Sequence, residues 1–402
     1  MDKTKFEIKK INIFKEDVEI EEIKLNGIER IWIIGDVHFG VKNNSDLFLK
    51  IQKEYFYNVF FDLLKNSGAK RETDIIVFLG DIYDNRHSIQ LLIMNESYKI
   101  LNKLSDEFDV YIIAGNHDLF SNNNNEISSL LPLENIKNVK IFKDKIGLLN
   151  FTDVNKKFLL KPWHNFKESE DLFLNEICNL LDIDFVSTHT NFTDKSDFFL
   201  KDIRSLDHKI IKRPKYIFNG HIHRGSFFDN VINCGSLFSF DFGDINSKKF
   251  FVTLDLKTNE IKKINNDYSP EFTKFKLDDL INLNDEELFK KLNNKFFKIY
   301  VDSSKFKNTE ISIFNEKLEK ILNFFSVSFV FVSNQNMESS VYLKNDNGEV
   351  RSFNVMGFFD SYINFLIKNN ENEKNNLLFS KKLIHKIYDK IKSENENKED
   401  QV

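Results

Sequence analysis

Cysteine is nearly missing from this 402-residue chain: there are two, Cys178 and Cys234, and they form no CxxC pair. That argues against a disulfide framework or a structural thiolate metal site and favours a reducing, cytoplasmic setting. No uninterrupted apolar run reaches ~18 residues, so no membrane-spanning helix is expected. The opening segment MDKTKFEIKK lacks the apolar centre of a secretory signal. Prolines (4) and glycines (13) are few, so a glycine that recurs inside a motif is informative. Excess positive charge is missing too. A formal net charge of −5 disfavours a protein that merely coats nucleic acid, although an enzyme on nucleic acid needs only a local basic patch.

What is present is globular. Hydrophobic residues make up 41% of the chain, with 43 Phe among them, which is enough for a sizeable core, and the length suits two or three domains. No internal repeat is visible. Residues 1–30 read as short strands or an irregular lead-in. From Ile31 onward, short runs rich in Ile, Val and Phe (31–34, 75–79, 110–114, 185–186 and 216–218) alternate with amphipathic stretches at 46–65 and 88–108. Strands alternating with helices predict an α/β core. After Gly220, residues 226–233, 250–256 and 260–265 read as strands of a meander. Residues 295–335 read as strand, helix, strand, and 336–355 as loop or hairpin. Two amphipathic helices are expected at 356–368 and 375–393, ahead of a charged tail.

Five motifs follow the apolar runs: GDVH (35–38), GDIYD (80–84), GNHD (115–118), THT (188–190) and GHIH (220–223). Ligands of open α/β sheets bind beyond the carboxyl ends of the strands, so five motifs at five strand ends can converge on one cleft. Asp36 and His38, two apart on extended chain, can face one side, and His221 and His223 repeat that spacing. The set mixes carboxylate, amide oxygen and imidazole without thiolate, as sites for Mn, Fe or catalytic Zn do. One carboxylate can bridge two ions, and Asp81 is the best placed. Two ions ~3.5–4 Å apart clamp a phosphoryl group. The glycines before Asp36, Asp81, Asn116 and His221 are expected to let the backbone turn sharply. Taken singly, an Asp-x-His pair, a GNHD turn or one histidine beside a strand is more often structural than metal-binding. It is the conjunction, five of nine histidines at these strand ends, that points to chemistry.

In this order the motifs resemble those of the calcineurin-like metallophosphoesterases, over residues 35–223. The resemblance implies a four-layer sandwich of two mixed β-sheets flanked by helices, with a small α+β cap and C-terminal helices. It also implies two divalent metal ions, manganese being the expected one. The first would be held by Asp36, His38, Asp81 and His223, the second by Asp81, Asn116, His189 and His221. His117 would be the catalytic proton donor and Asp118 would orient it. GDVHFGVK (35–42), GDIYDNR (80–86), LKPWHNF (160–166) and NCGSLFSFDFGDINSKKFFVTLDL (233–256) further resemble SbcD-type nucleases and the nuclease subunit of T-even phage recombination endonucleases. That implies a DNA exonuclease and endonuclease domain at 1–268, a DNA-holding cap at 269–345 and, at 346–402, a helical segment that binds an SMC-like coiled-coil ATPase. A homodimer is also implied.

Competing readings are a phosphatase or small phosphodiesterase of the same superfamily, and a DNA-repair scaffold without catalysis. GDIYDNR and GNHD depart from the GDxVDRG and GNHE of protein phosphatases, and every ligand position is filled. Lys42, Arg86, His87 and Arg224 are candidates for DNA phosphate contacts. The basic run 208–215 reads as a solvated surface, and His164 as packing or hydrogen-bonding beside Trp163. The helix Ser380–Ile391 sets Leu383, Ile384, Ile387, Tyr388 and Ile391 on one face, to cover the chain's own core or a partner helix.

Overall fold

The structure is a computed structural model. It describes residues 5–14, 16–121, 124–163, 170–192, 206–293, 295–302, 304–322, 327–332, 340–344 and 350–354. His164, the helices expected at 356–368 and 375–393, and therefore the amphipathic face of Ser380–Ile391, lie outside the described residues.

The chain forms two compact units, 1–272 and 273–402. In the first unit, two mixed sheets share one core. The six-stranded sheet has the order Ile261–Asn265, Phe250–Asp255, Arg30–Ile34, Asp74–Phe78, Asp109–Ile113, Val139–Phe142. Its last four strands are parallel, and their near-continuous apolar sequences suit strands covered on both faces. The eight-stranded sheet runs Lys5–Ile13, Glu16–Leu25, Ile146–Phe151, Lys156–Lys161, Phe185–His189, Tyr216–Gly220, Val231–Asn233, Ser226–Phe228. Ile31, Ile33, Ile75 and Val77 from one sheet and Phe158, Phe185 and Phe218 from the other belong to a single buried cluster, so the sheets pack face to face. The outer face of the larger sheet is covered by the helix Glu170–Leu181 through Phe173, Leu174, Ile177 and Cys178. Across the smaller sheet, Phe60 meets Phe251 edge-on, with ring centroids 5.5 Å apart.

The α/β layering matches the expectation, with differences in detail. The lead-in is a regular antiparallel hairpin, Lys5–Ile13 with Glu16–Leu25. The helix expected at 46–65 is Asp46–Tyr55 and Phe61–Asn66 joined by a π-helical turn, Phe56–Phe60. The strands after Gly220 are not one meander. Residues 226–233 form a hairpin on the edge of the larger sheet. Phe250–Asp255 instead crosses to the smaller sheet and pairs antiparallel with Arg30–Ile34. Both cysteines are buried and free, and no helix among the described residues is long and apolar enough to cross a membrane.

In the second unit, five strands lie in the order Glu271–Lys276, Lys295–Asp302, Val327–Val332, Ser340–Lys344, Val350–Asn354. Lys295–Asp302 and Val327–Val332 are parallel, with the helix Asn308–Ile321 between them in sequence, and Ser340–Lys344 pairs antiparallel with Val350–Asn354. Leu288 and Leu292 of the helix Asp285–Leu292 join Phe297, Ile299, Val301, Phe314 and Leu318 in a core of its own.

Candidate metal centre

Three parallel strands of the smaller sheet end at Asp36/His38, Asp81 and Asn116/His117; two parallel strands of the larger sheet end at His189 and His221/His223. The eight residues come together as the motifs predict, and the donor atoms of seven of them, all but His117, fall into two sets. In the first, His38 Nε2 lies 3.0 Å from His223 Nε2, 3.6 Å from Asp81 Oδ2, and His223 Nε2 lies 3.8 Å from Asp36 Oδ2. In the second, His189 Nε2 lies 3.3 Å from the same Asp81 Oδ2 and 3.0 Å from Asn116 Oδ1, which is 2.8 Å from His221 Nδ1. Asp81 Oδ2 is thus common to both sets.

The backbone holds these atoms in place. His117 N–H donates to Asp81 Oδ1 at 2.8 Å, leaving Oδ2 to face the imidazoles. His221 N–H donates to the Asp36 carboxylate. Val37 and His38 N–H donate to Asp81 O, and the buried Gln52 amide donates back to Val37 O and His38 O. His189 Nδ1 donates to Leu79 O at 2.7 Å, which frees Nε2 for the centre. His38, Asp81 and His221 all adopt positive φ (50°, 47° and 70°), a conformation non-glycine residues keep only where surroundings compel it. Of the four motif glycines expected to turn sharply, only Gly80 has positive φ (96°). Gly115 is needed for another reason: a Cβ there would collide with the Asp81 carboxylate.

The electrostatics are those of a crowded, dry site. Burial raises the Asp36 carboxyl to about 6, with Asp81 adding to the effect. Burial also acts to raise Asp81, but the imidazoles of His189, His38 and His117 hold it below the usual carboxylate range. Burial would lower His189, yet Asp81 and Asp36 raise it to about 9. His221 and His223 are pushed down to about 3 and about 4 by burial and then by neighbouring imidazoles. Ring nitrogens of His38 and His223 that face each other at 3.0 Å bring two lone pairs together unless a cation, proton or metal, lies between them. Carboxylate, amide and imidazole donors in two groups fit a pair of divalent ions and not a thiophilic one.

His117 stands apart from both sets. Its ring is edge-on to His38, centroids 5.1 Å apart, and its Nδ1 donates to Asp84 O at 2.5 Å. The ring is thus bonded to the Asp84 carbonyl, whereas Asp118 is the residue expected to orient it. The Asp118 carboxylate is fully buried and accepts Gly115 N–H at 2.9 Å and Tyr83 N–H at 3.1 Å. It ties the GNHD turn to the GDIYD turn. His38, Asp84 and His117 also offer donors within metal-binding reach of one another; with Nδ1 protonated towards the Asp84 carbonyl, only Nε2 of the neutral His117 ring has a lone pair.

Sequence reading missed several residues around the centre. Trp163 lies over His221, centroids 5.3 Å apart, and edge-on to His189. Phe240 packs edge-on against His38 and His223. Asp84 Oδ1 is 3.4 Å from His38 Nδ1; the second aspartate of GDIYD was the available signal. Among the DNA candidates, Lys42 lies 3.8 Å from Asp241, Arg86 is half-buried, His87 is exposed against Phe120, and Arg224 is exposed.

Residues 29–225 match the family model for calcineurin-like phosphoesterase. Among curated proteins, the SbcD component of the nuclease SbcCD from Staphylococcus epidermidis is 23% identical over 254 residues, covering 56% of this chain and 66% of that protein, just under two thirds of its length. Exonuclease subunit 1 of Enterobacteria phage T4 is 25% identical over 244 residues, covering 59% and 68%. A solved archaeal phosphodiesterase is 16% identical, covering 59% of this chain and 99% of its own, with a TM-score of 0.31. With the family model falling on the strand-end motifs, and the fold and donor sets in agreement, residues 29–225 form a calcineurin-like phosphoesterase domain.

Proposed function

We propose that the chain is a manganese-dependent DNA nuclease with a two-metal centre. Asp36, His38, Asp81 and His223 would hold one ion, and Asp81, Asn116, His189 and His221 the other. The observation that carries the metal reading is the sharing of Asp81 Oδ2 between two largely buried donor sets. Divalent ions so held supply Lewis acidity towards a phosphoryl group and lower the pKa of water. The protein's own part is to fix geometry and move a proton. With Nδ1 donating to the Asp84 carbonyl, His117 presents Nε2 to the substrate and gives up a proton there to the leaving oxygen. Lys42, Arg86, His87 and Arg224 follow the ligand-bearing turns in sequence and would contact DNA phosphates.

DNA as substrate is supported by the two curated relatives, one a component of a nuclease and the other of an exonuclease. With Mn(II), the full-length protein is expected to degrade end-labelled duplex and cut single strands, and a chelator should stop both. Rapid hydrolysis of an aryl phosphate monoester with DNA left intact, even with an ATPase partner added, would favour the phosphatase reading instead.

The same relatives support assembly. The unit from 273 would hold DNA, and 346–402 would bind a coiled-coil SMC-like ATPase, in a complex built on a homodimer. Deleting 356–402 is expected to spare metal binding and basal hydrolysis while abolishing co-purification with that ATPase; a truncated chain that still co-purifies refutes the assignment.

A further inference from the structure

The half of the centre built on Asp36, His38 and His223 has one common support that lies outside the five strand-end motifs. Lys249 is 3% exposed, and its Nζ donates to three acceptors: Asp244 Oδ1 at 2.5 Å, Ser236 Oγ at 2.9 Å and His223 O at 2.9 Å. An ammonium has three protons to give, so this one is fully engaged, and its buried charge is matched by Asp244, itself 8% exposed. The other oxygen, Asp244 Oδ2, accepts Phe240 N–H at 2.8 Å, and the Phe240 ring is the one packed edge-on against His38 and His223. Ser236 N–H donates to His223 O at 3.1 Å, and the next residue, Leu237, donates its N–H to Asp36 O at 2.8 Å. One ion pair therefore reaches His223 through its carbonyl, His38 through Phe240, and Asp36 through the 236–237 turn.

The other half is supported from elsewhere. His189 Nδ1 is held by Leu79 O. Thr190, which follows it, donates its hydroxyl to Glu170, the partner of the buried Lys161, and exchanges hydrogen bonds with Asn219. Trp163 lies over His221. No bond among the described residues links these groups to Lys249 or Asp244.

We propose that the Lys249–Asp244 ion pair is the positioning element of the Asp36/His38/His223 half alone, setting cation affinity there without touching either ion. This rests on the two-metal reading above. Groups behind metal ligands typically change affinity about 10–100-fold when removed, and here the change should fall on one ion of the two.

The test uses the full chain, Mn(II) titration by calorimetry and electron paramagnetic resonance. The unaltered protein should bind two equivalents and give the exchange-coupled signal of a manganese pair. Lys249→Met should weaken one equivalent by about 10–100-fold, leave the other as it was, and replace the coupled signal by that of isolated manganese until the weaker site fills. A folded Lys249→Met protein that binds both equivalents normally overturns the inference, and so does one that weakens both equally. Should the single variant not fold, Lys249→Met combined with Asp244→Leu removes both charges together, which buried pairs commonly tolerate, and the same outcomes decide. Fewer than two equivalents in the unaltered protein would instead refute the two-metal reading itself.

Discussion

Asp81→Asn is expected to strip both ions from the centre and bring hydrolysis to background. Asp81 Oδ2 lies within reach of both donor sets, 3.6 Å from His38 Nε2 and 3.3 Å from His189 Nε2. An amide has no charge to offset two cations, and a single amide oxygen cannot both accept the His117 N–H, as Oδ1 now does, and bridge. Burial acts to lower the His189 imidazole and the Asp81 carboxylate to raise it, so loss of that carboxylate removes a counter-charge 3.3 Å from its Nε2. Metal analysis of the purified variant is the direct measurement. Retention of one tightly held ion would show that the two sets do not depend on a shared oxygen.

The second large effect is expected at His117. His117→Asn should lower phosphodiester hydrolysis by about 10²–10⁴-fold, the range for loss of a positioned acid, with metal content unchanged. His117 is hydrogen-bonded to the donor sets through its backbone N–H to Asp81 Oδ1, and asparagine keeps that bond. What is removed is the imidazole that the Asp84 carbonyl turns towards the cleft. Loss of an ion together with activity would make His117 a ligand, as its nearness to His38 and Asp84 allows; an unchanged rate would deny it any part in proton transfer.

The positions of the eight central residues were readable because a polar residue that ends a buried parallel strand must face something other than core. Asp36, Asp81, Asn116, His189 and His221 each stand where an apolar run stops. The site's support was not readable, for reasons that differ from residue to residue. Lys249 directly precedes the strand Phe250–Asp255, and nothing local says that its ammonium turns inward to His223 O. Asp118 is inseparable in sequence from His117, yet its carboxylate closes backbone turns 35 residues apart, a long-range fact. The positive φ of His38, Asp81 and His221 is imposed by tertiary contacts and leaves no mark on residue type, so residue types alone point to the neighbouring glycines for the turning role. The crossing of Phe250–Asp255 to the smaller sheet is hidden in the sequence because strand register and partner are set by distant packing.

The two sheets of the first unit each supply part of every donor set. Asp36, His38 and Asp81 come from one sheet with His223 from the other; Asp81 and Asn116 come from one with His189 and His221 from the other. On the proposed assignment each cation is a rivet through the seam of the sandwich. Slippage of one layer against the other would open both coordination spheres together. Metal release and layer separation then become a single mechanical event, and whatever shears the sandwich also switches off the chemistry.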